Sequence, residues 1–274
     1  MANGGRGVNL LASAPRTRYT PPMGRRPHPR NAAGQRSPFP RLYGRHAVIA
    51  ALLNPERVHR KLHATHSAMK TLESDWDLPK GFNIQFGDDA DLGRLVPADA
   101  PHQGLVLEVV PLDAPYLGDI LATDSGNRPL VVLDQVTDPH NVGAILRSAA
   151  AFGAVALVTQ DRHSPTESGS LARAASGALE TVPWCRVVNL ARALGEIGDA
   201  GYWRIGLDGG GEATLEAALA DTKPCLVLGA EGEGLRHNTQ EHCDQIARLP
   251  ISKVMESLNV SNAAAIALYA AARR

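Results

Sequence analysis

Short continuous runs of apolar and β-branched residues recur through the second half of the chain, separated by longer amphipathic stretches. Runs of this kind are typical of strands in a parallel sheet that is covered on both faces. Every intervening stretch is long enough for a crossover, which predicts an open parallel α/β sheet. The predicted strands are Leu130–Leu133, Val155–Thr159, Arg186–Val188, Trp203–Leu207, Cys225–Leu228 and Ile246–Leu249. Helices are predicted near 142–152, 169–177, 189–198, 214–220, 236–242 and Val260–Ala271.

The first half of the chain predicts a second, smaller α/β unit. Residues from Tyr43 to Leu53 have helical periodicity, and Asn54-Pro55 ends it. The run from Gly104 to Leu107 is typical of a strand, and the acidic, proline-containing stretch that follows predicts a linker with one helical turn. The predicted order is a small domain at 41–110, a linker at 111–129 and a larger domain at 130–274.

Charge is distributed unevenly along a chain whose formal net charge is zero, with 28 basic and 28 acidic residues. Residues 1–40 contain seven arginines, seven prolines and no acid, which predicts a disordered basic arm. Residues 41–70 add six cations against Glu56 alone. An N-terminal quarter of this kind indicates a polyanionic partner, either nucleic acid or anionic lipid.

The composition also excludes several classes of protein. No run reaches 18 apolar residues, so no membrane span is expected. Three cysteines without a Cys-x-x-Cys pair argue against a disulfide framework or a structural zinc site, and they favour a reducing, cytoplasmic compartment. The alternative is the mitochondrial matrix, with residues 1–40 as a transit peptide, although their prolines would break its amphipathic helix.

Polar segments follow three of the predicted strands, where a sheet of this type binds its ligand. After Leu130–Leu133 there is no G-x-G-x-x-G and no G-x-x-x-x-G-K-[ST], which argues against dinucleotide and ATP chemistry. Instead Asn141, interpreted as an N-cap, is followed by Arg147 among alanines. The competing interpretation is that Asn141 only caps the helix and Arg147 is an ordinary surface cation.

The second and third segments carry glycines, carboxylates and small polar residues. Gly229–Leu235 has three glycines, which permit close backbone approach, and two carboxylates, which disfavour a phosphate and suit a ligand with a cation or hydroxyls. A tight turn with solvated acids remains the alternative. In the third segment Ser257, Asn259 and Ser261 cluster where the last helix begins, more polar residues than one cap requires. The residues His237, His242 and Cys243 lack the spacing of zinc ligands.

These three segments, in this order, resemble the three motifs of the SpoU (TrmH-like) branch of the SPOUT RNA methyltransferases. The resemblance lies in Asp138–Ala149, Leu228–Leu235 and Leu249–Ser261, with Lys253 and Asn262 departing from the glycine and valine that are usual there. Tyr43–Val48 and His102–Gly104 are similar to parts of the small substrate-binding domain of the family's 23S rRNA guanosine 2′-O-methyltransferases.

The resemblance implies a trefoil knot in the larger domain and a homodimer packed near the pocket. No metal is expected, because the sequence lacks the spacing of zinc ligands. S-adenosyl-L-methionine would bind against Gly229 and the backbone around Leu249, Ile251 and Leu258. The implied activity is methyl transfer to the ribose 2′-OH of a guanosine in 23S rRNA. Alternatives are the same reaction on tRNA, or a non-catalytic RNA-binding or ribosome-assembly factor. The implied catalytic residues are Asn141, Arg147, Glu231, Ser257 and Asn259.

Overall fold

Two β-sheets organise the chain, a small mixed sheet followed by a larger parallel one. The computed structural model describes residues 37–75, 81–124, 126–252 and 254–273. Both sheets belong to one unit that extends from Ser37 to Arg274. Almost all of the predicted basic arm, residues 1–36, lies outside the described residues.

The small sheet has four strands in the order β1-β4-β2-β3. Strand β4 is antiparallel to both of its neighbours, whereas β2 and β3 are parallel. The predicted helix from Tyr43 begins two residues later, because Tyr43 is still in β1 and Gly44 turns the chain at a φ of 85°. The elements are β1 (Arg41–Tyr43), α1 (Arg45–Leu53), β2 (His59–Ala64), α2 (His66–Asp75), β3 (Ile84–Phe86), α3 (Asp89–Gly93) and β4 (Leu105–Val109).

The larger sheet has seven strands in the order β7-β6-β5-β10-β8-β11-β9, and every neighbouring pair is parallel. The predicted parallel α/β sheet is therefore confirmed, and the knot stays a prediction. The strand predicted at Arg186–Val188 begins earlier, at Trp184, and the two-residue β9 is too short to leave a sequence pattern. The strands are β5 (Leu130–Leu133), β6 (Leu157–Gln160), β7 (Trp184–Val187), β8 (Trp203–Leu207), β9 (Ala213–Thr214), β10 (Pro224–Leu228) and β11 (Gln245–Arg248).

Helices cover both faces of the larger sheet. The alternation within β5 shows how: Val131 and Leu133 join a core that also contains α5, α6 and α10, whereas Leu130 and Val132 join a second core with α7. None of the helices in the described ranges is long and apolar enough to cross a membrane. The helices are α4 (Leu117–Thr123), α5 (Pro139–Ala151), α6 (Gly169–Ala175), α7 (Leu190–Asp199), α8 (Leu215–Leu219), α9 (His237–Gln240) and α10 (Val260–Ala272).

Helix α6 joins the two sheets. On one side its backbone lies so close to α5 that a Cβ on Gly143 would be 2.5 Å from the Leu171 carbonyl oxygen. On the other side a Cβ on Gly169 would be 2.2 Å from the Arg41 carbonyl oxygen. Only glycine permits approaches this close at these two positions. The first core accordingly includes residues of both sheets, such as Leu62 and Leu133.

A buried ion network also links the part of the chain that forms the small sheet to later segments. The side chain of Arg57 is fully buried and contacts Glu167 at 2.5 Å and Glu180 at 2.6 Å. Its guanidinium also donates to the Val110 carbonyl oxygen at 3.0 Å. Burial raises the pKa of Glu167, and the charge of Arg57 opposes that rise. The network holds one cation between two carboxylates.

Candidate active site

The candidate site lies at the carboxyl edge of the larger sheet. Strands β5, β10, β8 and β11 are parallel neighbours, so the segments that follow them emerge at the same edge. Those segments are residues 134–138, 229–236, 208–212 and 249–259. The three segments singled out in the sequence therefore meet in space.

Asp134 joins the first of these segments to the glycine-rich one. It follows β5 directly, is fully buried, and its backbone N–H donates to the Leu228 carbonyl oxygen at 2.8 Å. Its carboxylate accepts from the backbone N–H of Arg236 at 3.1 Å and from Arg236 Nε at 2.8 Å. Sequence reasoning missed this pair, although a carboxylate placed directly after a buried strand was the available signal.

The prediction that Asn141 is an N-cap is wrong. Asp138 caps α5, accepting from the backbone N–H of His140 at 2.9 Å, and Pro139 occupies the first turn, where its missing N–H costs nothing. Asn141 consequently lies inside the first turn of α5, and its side chain is free for another contact. Asn141 Nδ2 donates to Glu231 Oε1 at 3.4 Å.

Asn259 completes a network with Asn141 and Glu231. It is the N-cap of α10, where its Oδ1 accepts from the backbone N–H of Ser261 at 3.0 Å. Its Nδ2 donates to Asn141 Oδ1 at 3.1 Å and also to Glu231 Oε1. Glu231 Oε1 accepts a further, longer hydrogen bond from the backbone N–H of Val260 at 3.4 Å. Three of the five predicted catalytic residues thus contact one another.

The glycine-rich segment is a tight turn that carries Glu231 near its tip. Ala230 and Gly234 form an isolated antiparallel bridge, in which the Gly234 N–H donates to the Ala230 carbonyl oxygen at 3.0 Å. Gly232 and Gly234 have φ angles of 85° and 68°, which strongly favour glycine. A Cβ on Gly229 would lie 2.1 Å from the Gly234 carbonyl carbon. The turn interpretation of these glycines is correct, and the turn brings its carboxylate to the site.

The other two predicted catalytic residues stand apart from this network. Arg147 and Ser257 are exposed, and the structure shows no hydrogen bond or ion pair to either side chain within the described part of the chain. Arg147 lies six residues beyond Asn141 on α5, roughly 9 Å along the helix axis. Both polar groups remain available to a ligand.

The residues predicted to hold the cofactor have mixed exposure. Gly229 is buried, Leu249 packs against the first core, Leu258 is half-buried, and Ile251 is 39% exposed. Lys253 lies outside the described residues, and Asn262, the other departure from the family pattern, is an exposed residue of α10.

The chemistry of this edge fits S-adenosyl-L-methionine. The segment after β11 exposes apolar side chains, with Met255 at 61% and Ile251 at 39%, which suit contact with an adenine ring. Two carboxylates, Glu231 and Asp208, lie on neighbouring segments and suit a ligand that carries positive charge on sulfur. Arg248 is engaged elsewhere, donating to the Gly211 carbonyl oxygen at 2.5 Å.

The cysteines and histidines do not form a second site in the described ranges. No group of three or more His, Cys, Asp or Glu residues there is arranged to hold a metal ion. All three cysteines are free thiols. Burial raises the pKa of Cys185 and of Cys243 to about 12 and raises the pKa of Cys225 as well, so these thiols are poor nucleophiles at neutral pH.

Comparison with known families identifies both parts of the chain. Residues 128–269 match the SpoU rRNA Methylase family, and residues 41–115 match the family described as RNA 2′-O ribose methyltransferase substrate binding. The chain belongs to the SpoU rRNA methylase family. The resemblance found in the sequence motifs is thereby confirmed.

Curated relatives within this family cover most of the chain. The 23S rRNA (guanosine-2′-O-)-methyltransferase RlmB of Pseudomonas aeruginosa is 37% identical over 239 residues, which is 85% of this chain and 96% of that protein. The RlmB of Escherichia coli is 37% identical over 243 residues, 85% of this chain and 98% of that protein. An uncharacterized tRNA/rRNA methyltransferase of Synechocystis is 36% identical over 234 residues, 83% of this chain but only 61% of that longer protein.

Solved structures show the same SpoU fold at lower sequence identity. The SpoU methyltransferase AviRb from Streptomyces viridochromogenes superposes with a TM-score of 0.72 at 22% identity, covering 87% of this chain and 90% of that one. An AdoMet-bound rRNA methyltransferase from Sinorhizobium meliloti superposes with a TM-score of 0.70 at 24% identity, covering 86% and 87%. The small substrate-binding domain followed by a parallel-sheet SPOUT domain is the fold of this protein.

Proposed function

We propose that this protein transfers a methyl group from S-adenosyl-L-methionine to the ribose 2′-OH of a guanosine in 23S rRNA. The observation that carries the proposal is the convergence of Asn141, Glu231 and Asn259 at the carboxyl edge of a SpoU-family sheet. The RlmB relatives, which align over nearly their whole length, support a guanosine of 23S rRNA as the target. The substrate-binding family match at 41–115 supports a structured RNA as the substrate.

The hydrogen-bonded network would act by holding its groups in place before the RNA binds. The bound cofactor supplies an electrophilic methyl group on a sulfonium. In the displacement the ribose oxygen bonds to the methyl carbon as the carbon–sulfur bond breaks, leaving a neutral thioether, and the 2′-OH proton passes to solvent. Much of the acceleration of such a reaction comes from fixing the reacting atoms in line. Glu231 positions the two asparagine side chains by accepting from both. Asn141 keeps one amide hydrogen that can orient the 2′-OH, and Asn259, whose two amide hydrogens are both donated within the network, acts by holding Asn141 and Glu231 in place.

Arg147 and Ser257 would contact the RNA directly. A guanidinium offers five N–H donors and no acceptor, so we assign Arg147 a binding role rather than that of a base. An exposed guanidinium instead suits bidentate binding of the phosphate next to the target ribose, which also polarises the 2′-OH. The exposed hydroxyl of Ser257 would orient the same group.

The proposed enzyme is a homodimer. Helix α10 exposes Ile266 at 46% and Tyr269 at 48%, and the Tyr269 ring meets Phe152 edge-on with 5.8 Å between centroids. Apolar and aromatic side chains on one face are typical of an interface. Light scattering coupled to size-exclusion chromatography tests this: twice the mass of 29.1 kDa is expected, and one chain mass at micromolar concentration would contradict it.

The proposed location is the cytoplasm, and the proposed topology of the larger sheet is the family's trefoil knot. The free thiols suit a reducing compartment. A mitochondrial matrix location requires removal of a leader, so the N-terminal sequence of the protein purified from its own cells distinguishes the two locations.

The decisive experiment maps 2′-O-methylation across all RNA of cells with and without the gene. Loss of methylation at one guanosine of 23S rRNA, restored by the purified protein and S-adenosyl-L-methionine, is the expected result. If methylation were lost only in tRNA, the substrate would be tRNA and the 23S rRNA assignment would be wrong. If the protein bound RNA but neither bound the cofactor in a calorimeter nor methylated any RNA, it would be a non-catalytic factor.

A further inference from the structure

Four loops meet at one edge of the small sheet. Strands β1 and β2 are both antiparallel to β4, and β3 is parallel to β2, so β1, β2 and β3 end where β4 begins. The sequence segments at Tyr43–Val48 and His102–Gly104 are thereby brought together. The backbone N–H of Arg45 donates to Gln103 Oε1 at 2.8 Å, and the backbone N–H of Thr65 donates to the Gly104 carbonyl oxygen at 2.9 Å.

A cavity of about 380 Å³ opens at this edge. Its polar lining is one cation, three hydroxyls, one amide and one carboxylate, from Arg45, Thr65, Ser67, Thr71, Gln103 and Asp89. The hydroxyl oxygens of Thr65 and Ser67 lie 3.3 Å apart, which is a hydrogen-bond distance. One of the two hydroxyl hydrogens forms this bond, and the other remains available to donate to a ligand.

An exposed aromatic pair lies beside the cavity. His66, which stands between two lining residues, stacks on Phe86 with 4.4 Å between ring centroids and 7° between ring planes. The Phe86 side chain is 46% exposed, and His66 is exposed as well. Solvent-exposed rings next to hydroxyls and a cation are the features with which proteins bind unpaired nucleotides, stacking the base and pairing the phosphate.

A second cation connects this edge to the candidate active site. A Cβ on Gly44 would lie 3.7 Å from Cγ of Arg173, whose exposed side chain therefore reaches the residue before Arg45. Arg173 belongs to α6. The next residue of that helix, Ala174, packs against Gly143, two positions after Asn141. The residue before α1 and the N-terminal part of α5 thus pack against consecutive residues of one short helix.

We propose that this edge, which we call the nucleotide-binding edge (Arg45, Thr65–Ser67, Phe86, Gln103 and Arg173), holds an unpaired nucleotide of the RNA near the target ribose. Its base stacks on the Phe86–His66 pair, and its phosphate lies against Arg45, Arg173 and the hydroxyls. The carboxylate of Asp89 would repel a phosphate, so it faces the amino group of the base. This inference rests on the proposed function, because it assumes an RNA substrate.

Paired RNA is not the expected occupant. In an A-form helix the bases are stacked on one another, and side chains cannot reach their faces. A nucleotide in a loop or bulge exposes its base for stacking on a side chain. The edge therefore selects RNA that is unpaired beside the methylated residue.

The test measures binding of a fluorescent, unpaired RNA of about 12 nucleotides and mixed sequence, and of the same strand annealed to its complement. Phe86→Ala is expected to weaken binding of the unpaired strand about tenfold, and Phe86→Trp to retain it, because a base stacks on any aromatic ring. Tyr116→Ala, which removes an exposed ring outside the edge, is the matched control.

The cations give an independent readout. Each phosphate contact that is lost should reduce the slope of log affinity against log salt by about 0.7 for single-stranded RNA. Arg45→Gln and Arg173→Gln are each expected to show this change. Arg192→Gln, which removes a cation whose side chain is 79% exposed on α7, should leave the slope unaltered.

The outcomes separate this inference from the proposed function. If the wild-type protein methylates 23S rRNA but Phe86→Ala and Arg45→Gln bind the unpaired strand like wild type, the nucleotide-binding edge is wrong and the function stands. Equal losses on paired and unpaired RNA would also overturn it. If the wild-type protein binds neither RNA and methylates none, the proposed function itself fails.

Discussion

Asn259 has two separable tasks, and three substitutions distinguish them. Its Oδ1 caps α10 through the backbone N–H of Ser261 at 3.0 Å. Its Nδ2 donates to Asn141 and Glu231. Asn259→Ala removes both functions, whereas Asn259→Ser and Asn259→Asp keep an oxygen that can cap the helix and remove the amide donors.

The expected magnitudes differ for stability and for activity. Loss of an N-cap costs about 1 kcal/mol of unfolding free energy, so Asn259→Ala should be destabilised by that amount and Asn259→Ser by a few tenths. Asn259→Asp places a carboxylate against that of Glu231. Two such charges about 4 Å apart repel by roughly 1 kcal/mol in water and more where water is excluded. Because all three variants lose the amide hydrogens that hold Asn141 and Glu231 in place, kcat should fall about a hundredfold or more in each.

Urea denaturation and single-turnover methylation of 23S rRNA supply the two readouts. Asn189→Ala is the matched control, because Asn189 caps α7 in the same way, through the Arg192 N–H at 3.1 Å, away from the candidate site. The Asn189→Ala variant should lose about 1 kcal/mol of unfolding free energy and keep its methylation activity. The reasoning is refuted if Asn259→Ser turns over at the wild-type rate, or if it is destabilised as much as Asn259→Ala.

Four other predictions follow from contacts elsewhere in the molecule. Arg57→Met should cost about 3–5 kcal/mol in urea denaturation, because it leaves two buried carboxylates without a cation; a loss below 1 kcal/mol would contradict the buried network. Hydrogen bonds from Arg204 hold the pKa of Asp244 below its ordinary value, so Asp244→Asn should lose about 1–3 kcal/mol at neutral pH. The difference in stability between wild type and Asp244→Asn is fully present above the ordinary carboxyl pKa of about 3.9. It should disappear as the pH falls through the lower pKa that Asp244 has in the folded protein, and melting curves from about pH 7 to pH 2 would show this. The buried Cys185 and Cys225 should resist alkylation at about pH 8 until denaturant is added, and rapid labelling of both in the native protein would disprove their burial. Deleting residues 1–36, which carry seven arginines, should flatten the salt dependence of RNA binding; an unaltered slope would mean that this segment does not contact RNA.

The larger sheet was predictable because its strands leave a strong pattern. A strand buried on both faces is a continuous apolar run, and Trp203–Leu207 has the same bounds in the sequence prediction and in the structure. Strand β9 has two residues and no such pattern. At the start of α5 the Asp-Pro pair was a stronger capping signal than Asn141, since proline is favoured in the first turn and aspartate just before it.

Contacts between residues that are far apart in the sequence could not be predicted from the sequence pattern. Asn141 and Glu231 are 90 positions apart, and they meet because β10 pairs with β5 while the strands between them in sequence take other places in the sheet. Periodicity reports which face of an element is buried but not which strand lies beside it. The resemblance to the family's motifs indicated that these residues belong to one site. The pairing of β5 with β10 is the physical reason that they meet.

The partners of Arg57 have a consequence for synthesis on the ribosome. Arg57 precedes Glu167 by 110 positions and Glu180 by 123 positions, so the arginine is synthesised long before either glutamate. At roughly 5–20 residues per second, a nascent chain would wait about 6–25 s between them. During that interval the small sheet also lacks α6, which packs against β1 in the finished protein. The small sheet therefore gains its full set of packing and ionic contacts only after later segments of the chain have been made. A newly made chain should depend on chaperones until Glu180 has left the exit tunnel.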